Sequence, residues 1–203
     1  LSEHSALGTN DYLTVDVSGN VGIGVTPSAW QVNNRAIQLL EGYGSISSNN
    51  SQGCCDVSSN TYNAGSAATS GWKYKNTGAS SLYQQRAGQH KWFTAASGSA
   101  DATISWAERM RIDSSGNVLV GQQTVSSNAV GTSLRQDGRN FFCADGNYSA
   151  QFNRKTSDGA IVHFAKDDTI VGSIGVDFNT EFYMGGGGGG FYINTASIRP
   201  TTG

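Results

Sequence analysis

Few residues in this chain have the types and spacing that chemistry requires. His4, His90 and His163 are its three histidines, and none has a readable Ser or Cys partner. No G-x-S-x-G elbow occurs either, so acyl transfer has no support. Glycan hydrolysis needs two carboxylates about 5–9 Å apart across the scissile bond. Only Glu3, Glu41, Glu108 and Glu181 supply glutamate, and most aspartates fall in turn signatures, where bonding the backbone ahead explains them. Cys54, Cys55 and Cys143 are too few and wrongly spaced for a zinc site or a disulfide framework. They read as small buried thiols, since a Cys54–Cys55 bridge between neighbours would be strained. The hexaglycine 185–190 satisfies G-x-G-x-x-G trivially but lacks the helix and acidic residue of a dinucleotide site. It reads as a mobile or close-packed loop between strands. The expectation is a chain that is not an enzyme and holds no metal or cofactor.

Binding has more to draw on. Aromatic faces stack on sugar rings and anchor interfaces, and Trp72, Tyr74, His90 and Trp92 lie in a stretch rich in glycine and serine. These four are the candidate receptor-binding residues. The competing reading makes the tryptophans and the tyrosine among them, Trp72, Tyr74 and Trp92, the core of that stretch, because aliphatic residues are scarce.

The elements that would carry such residues announce themselves in one phrase written twice, LTVDVSGNVGIG from Leu13 to Gly24 and MRIDSSGNVLVG from Met110 to Gly121. Apolar residues alternate, a D-x-S-G-N turn intervenes, and the alternation resumes. The aspartate bonds the backbone ahead of it and glycine supplies positive φ, so each copy closes a tight hairpin. An isolated hairpin is marginal in water and needs neighbours. Those are other strands of the same chain or the same ribbon from sister chains. Three copies around an axis would bury Val15, Val21, Ile23, Ile112, Val118 and Val120 together and hide every strand edge.

Composition favours the second option. Leu, Ile, Val and Phe number 39 of 203 residues, while Gly, Ser, Thr and Asn number 85, with only 2 Pro. Aliphatic content is thin for a single-chain core, yet the net charge of −2 is too small for disorder. The texture is all-β. With scattered Lys and Arg there is no basic field for nucleic acid, and no apolar run long enough to cross a bilayer. The opening LSEHSALGTN has neither an initiator Met nor an apolar leader and reads as an excerpt of a longer chain. Four segments are expected: residues 1–26, a ribbon repeat with an N-terminal shaft piece; 27–108, a β-rich knob; 109–121, the second ribbon; and 122–203, a distal module of hairpins. Within the knob, RAIQLLEGYG has the composition of a helical turn, uncapped and ended by Gly42.

DSSGNVLVG and DVSGNVGIG, together with SLYQQRAGQHKWFTAASGSA, ISWAERMRID, VGSIGV and GFYINTASIRP, resemble the distal portions of bacteriophage tail fibres of the type that often ends in a self-cleaving intramolecular chaperone. The resemblance covers most of the chain, and its motifs are those of a shaft. It implies intertwined homotrimeric β-structure, a β-ribbon or triple-β-helix-like shaft with β-rich knobs, at the virion surface after assembly in the host cytoplasm. The implied partners are the chain itself, other tail proteins, and a host surface glycan or outer-membrane protein, with neither nucleic acid nor membrane insertion. The chain departs from the pattern at RPTTG, where no chaperone domain follows. The alternatives are a glycan-binding adhesin module of a cell-surface protein, for which trimeric-adhesin heptads are missing, and, more weakly, a tailspike-type glycan hydrolase.

Overall fold

The computed structural model describes residues 12–39, 43–50, 53–67, 70–178, 181–186, 189–193 and 197–200. His4, Glu3, Glu41 and glycines 187 and 188 lie outside them. The described residues form strands and turns without a helix, and the chain divides into two units, 1–147 and 148–203. The protein is all-β.

In the first unit the ribbon phrases fold as read. Strands β1 (Leu13–Val15) and β2 (Val21–Ile23) pair Leu13 with Ile23 and Val15 with Val21. Asp16 closes their turn, accepting from the Ser18 and Asn20 backbone N–H groups at 2.9 and 2.8 Å and from the Asn20 side-chain amide at 2.8 Å. Gly19 follows at φ 81°, backbone that a Cβ would strain.

The chain then continues through β3 (Asn34–Leu39), β4 (Gly44–Asn49) and β5 (Cys54–Ser59). Next come a separate hairpin of β6 (Thr61–Ala67) and β7 (Ser70–Tyr74), and the long pair β8 (Gly78–Arg86) and β9 (Gln89–Gly98). The second phrase supplies β10 (Ala107–Ile112) and β11 (Val118–Val120), with Asp113, Ser115 and Asn117 repeating the same three bonds at 2.9 Å. A further hairpin, β12 (Gly131–Leu134) and β13 (Asn140–Cys143), turns at Asp137 and Gly138. Apart from β6 and β7, these strands form one sheet of eleven in the order β1-β2-β3-β4-β5-β8-β9-β10-β11-β12-β13, so both ribbon phrases and the knob's strands belong to the same sheet.

The described part of RAIQLLEGYG is not a helical turn. Asn34–Leu39 is a strand because Asn34, Ala36 and Gln38 alternate inward while Arg35, Ile37 and Leu39 face out, a period of two that overrides the helix-forming composition.

The core of this unit is aromatic. Trp72, fully buried, takes Trp30 and Trp106 edge-on at ring distances of 6.2 Å each, and Tyr62, Tyr74, Leu82, Phe93 and Ile104 complete the cluster. Trp72 and Tyr74 come from β7, which lies against the inner face of the large sheet.

The second unit is a five-stranded antiparallel meander, β14 (Gly159–Lys166), β15 (Thr169–Asp177), β16 (Glu181–Gly186), β17 (Gly189–Ile193) and β18 (Ile198–Pro200), each strand paired with the next. The described part of the hexaglycine is not loop: Gly185 pairs with Gly190 and Gly186 with Gly189 across β16 and β17.

Candidate functional site

The large sheet is inverted with respect to an ordinary soluble sheet. Across β3, β4 and β5 its inner face is largely polar, while Leu82, Phe93 and Leu119 also face inward from β8, β9 and β11. Gln38 and Gln84 are 0 and 1% exposed, and Asn34, Ser45, Ser47, Asn49, Asp56 and Ser58 are buried with them. Such groups are tolerated inside chiefly when bonded, the buried Ser47 hydroxyl being an exception without a partner among the described residues. Gln38 accepts from the Ser28 backbone at 2.5 Å, and the Asn49 amide donates to Asn34 Oδ1 at 2.5 Å. Ser45 and Ser58 bond each other at 2.6 Å, and Gln84 donates to Asp56 Oδ1 at 3.0 Å.

The outer face carries the aliphatics. Paired residues in a sheet share a face, so the registers trace one row across all eleven strands. It runs Val15, Val21, Ile37, Ile46, Val57, Tyr83, Trp92, Met110, Val120, Thr132, Phe142. Thr132 is its one non-hydrophobic member. A flanking row at one end adds Leu13, Ile23 and Leu39, and another adds His90, Ile112, Val118 and Leu134. Leu13 is 63% exposed, and Val15, Ile23, Ile37, Leu39, Ile46, Val57, Val120, Leu134 and Phe142 are exposed as well. Burying one such side chain fully is worth about 1.5–3 kcal/mol, so ten of them half-exposed leave on the order of 10 kcal/mol of stabilisation unrealised in the single chain. That equals a typical net folding free energy.

All six residues expected at an axis, Val15, Val21, Ile23, Ile112, Val118 and Val120, lie on this face. The four expected receptor contacts separate. Trp72 and Tyr74 are core, with the Tyr74 hydroxyl donating to the Ala96 carbonyl at 2.6 Å, and neither presents a face to a ligand. His90 and Trp92 are half-buried on the outer face, joined by Tyr83, which the sequence reading passed over. Tyr83 bonds His90 Nδ1 at 2.5 Å, stacks on its ring at 6.0 Å, and lies 5.1 Å from Trp92. The missed outer residues Ile37, Ile46 and Val57 had a signal, their strict alternation with Gln38, Ser45, Ser47, Asp56 and Ser58. The ordinary rule would have placed the opposite set outward.

The thiols differ in setting. Burial, reinforced by the neighbouring Asp56, pushes Cys54 up to about 11, so it stays a thiol at neutral pH. Cys55, next in the strand, is exposed on the outer face. No group of three or more metal-ligating side chains occurs among the described residues. Compared with protein-family models, curated proteins and solved structures, the chain matches none.

Proposed function

We propose that this chain is a structural segment of a bacteriophage tail fibre, assembled as an elongated homotrimer at the virion surface and taking part in host recognition and attachment. One observation carries the reading: beside its aromatic core, the chain leaves a continuous row of aliphatic and aromatic side chains on the outer face of the large sheet, while amides, hydroxyls and a carboxylate are buried behind β3, β4 and β5. Water penalises the outer row until another apolar surface covers it. Sister copies of the same row are the simplest cover, since each supplies the surface the others need. The stoichiometry of three and the phage setting come from the resemblance of the ribbon phrases to tail-fibre shafts.

The rival reading, a glycan-binding adhesin module, draws on Tyr83, His90 and Trp92. It needs the same face open that assembly would close. The native mass therefore decides between them. Light scattering of the folded protein should give three times the chain mass of 21.3 kDa. A folded single-chain species at every concentration would overturn the fibre reading and leave the aromatic cluster free for sugar. Attachment is tested separately, by sedimenting the trimer with intact bacterial envelopes; retention on envelopes of a susceptible strain supports it, and failure to bind any strain removes the attachment role.

A further inference from the structure

The five-stranded sheet of the second unit also has two unlike faces. On one, Tyr183 and Tyr192 meet at 6.1 Å and the Tyr192 hydroxyl donates to Asp177 at 2.9 Å, beside Ser173, Gly175 and Glu181. The other carries three rows that contain no charged side chain. One runs Val162, Ile174, Met184, Phe191, Pro200, and a second runs Val176, Phe182, Ile193, Ile198. The third pairs Phe164 with Gly172 and Gly186 with Gly189, the Cβ position of Gly186 falling 2.7 Å from the Gly172 Cα. An exposed phenylalanine thus stands beside three bare positions in the same row, and the side chains of Val171, Ile174, Met184 and Phe191 border the resulting groove.

Two of those glycines answer no need of the single chain. Gly186 has to be glycine, because its Cβ would lie 2.2 Å from the Val171 carbonyl oxygen. Gly172 does not: a Cβ there would meet Gly185 O at 3.6 Å and Phe164 Cδ2 at 4.0 Å, ordinary contacts, and its φ is not in the left-handed region. A Cβ at Gly189 would meet nothing within 4 Å among the described residues. Glycine weakens a strand interior, so bare positions that could carry a side chain call for something that comes close to them.

We propose that this face is a contact between copies of the chain, in which the Phe164 ring of one copy seats over Gly172, Gly186 and Gly189 of the next. The inference rests on the trimer reading above. Charge on this face is confined to its rim at β14, where Lys166 follows Phe164 and Arg154 lies against Gly159, so the three rows themselves offer little to a polysaccharide or a charged host surface, whose hydroxyls or ions would be left unpaired against them. Another apolar surface suits the rows, and knob and hole on one face allow each copy to give one contact and receive one around a closed ring. Five strands about 4.8 Å apart, bearing three rows, cover on the order of 400 Å². That is half the roughly 800 Å² per partner of a self-sufficient interface, so this contact acts in concert with the outer face of the first unit rather than alone.

The test compares the full-length chain with Gly172→Val, Phe164→Ala and the double variant, by sedimentation across a concentration series with circular dichroism alongside. In an isolated sheet Gly172→Val is neutral or stabilising, since valine prefers strands. Across the proposed contact it fills the hole and raises the concentration of half-dissociation at least about tenfold, with unchanged dichroism. In the Phe164→Ala background, where the ring is gone, the same substitution costs far less. Should Gly172→Val not fold, Gly189→Ala, with open space around it, carries the same comparison at a smaller effect. A wild-type trimer that Gly172→Val leaves equally tight overturns the knob-and-hole contact and spares the trimer. A wild-type monomer removes the trimer reading itself, and this contact with it.

Discussion

At the scale of the residue, two carboxylates respond to pH with opposite sign. Burial alone would raise Asp113, but the Asn117 side chain and backbone and the Ser115 N–H outweigh it and hold the carboxyl below its usual range. The folded state therefore favours the ionised form. Its contribution is complete above the unfolded value near 3.9 and disappears as pH falls through the lower folded value. Asp113→Ala should reduce stability by at most about 1 kcal/mol at neutral pH, since water screens this exposed turn, and the loss should shrink steadily as urea midpoints are compared at pH values falling below the unfolded value. Asp56 behaves the other way. Burial raises it, and bonds from Gln84 and Cys54 only partly compensate. A raised carboxyl favours the folded state fully below the unfolded value and loses that advantage as pH rises through the folded value. Asp56→Asn keeps the acceptor for the Gln84 amide without the buried charge, so its melting temperature should rise at pH 7 and fall relative to wild type as the solution is acidified. A lower melting temperature at pH 7 would mean that the charge itself holds the polar interior together.

At the scale of the element, what could be read from sequence divides at the reach of the interactions. The ribbon turns were legible because Asp, Ser, Gly and Asn within five residues fix their own bonds, and Gly19 and Gly116 take the left-handed backbone the phrase demands. The pairing of Val15 with Val21 and of Ile112 with Val118 follows from those turns. Which face of a strand turns inward was not legible. Alternation in NRAIQL or GSISSN defines two faces equally well, and the choice of the polar one depends on distant groups, such as the Ser28 backbone that Gln38 accepts from and the Gln84 amide that reaches Asp56. The same limit split the aromatic candidates: Trp72 and Trp92 sit in similar strands, and only the packing of β7 against the large sheet separates core from surface. The inversion has a direct consequence. Ile46 and Val57 are paired on the outer face, so replacing both with threonine removes methyl groups that the isolated chain leaves half in water. Chemical denaturation of dissociated chains should change by less than about 1 kcal/mol, whereas a fully buried pair would cost several. The proposed trimer should weaken far more, read as a rise in the concentration at which it dissociates. Equal losses in both states would place these residues in a core of the single chain.

At the scale of the whole molecule, a single substitution would separate folding from the proposed assembly. Val118 lies in the row with His90, Ile112 and Leu134, outside the aromatic core. In one chain a carboxylate at that half-buried position can reach water, so Val118→Asp should leave the dichroism of the strands intact. In a closed assembly three carboxylates would face one another in an apolar surround, where neither hydration nor a counter-charge relieves them, and each such ion costs several kcal/mol. Assembly should therefore be abolished at neutral pH, with only the single-chain mass seen by light scattering. Acid supplies a control that a folding defect would not pass. Burial and mutual repulsion both raise the affinity of the introduced carboxylates for protons, so lowering the pH should neutralise them and restore the trimer, while a chain that simply misfolds would gain nothing. A variant that forms trimers of unchanged melting temperature at neutral pH would put Val118 away from any axis and leave the outer face to be covered by something other than its own copies.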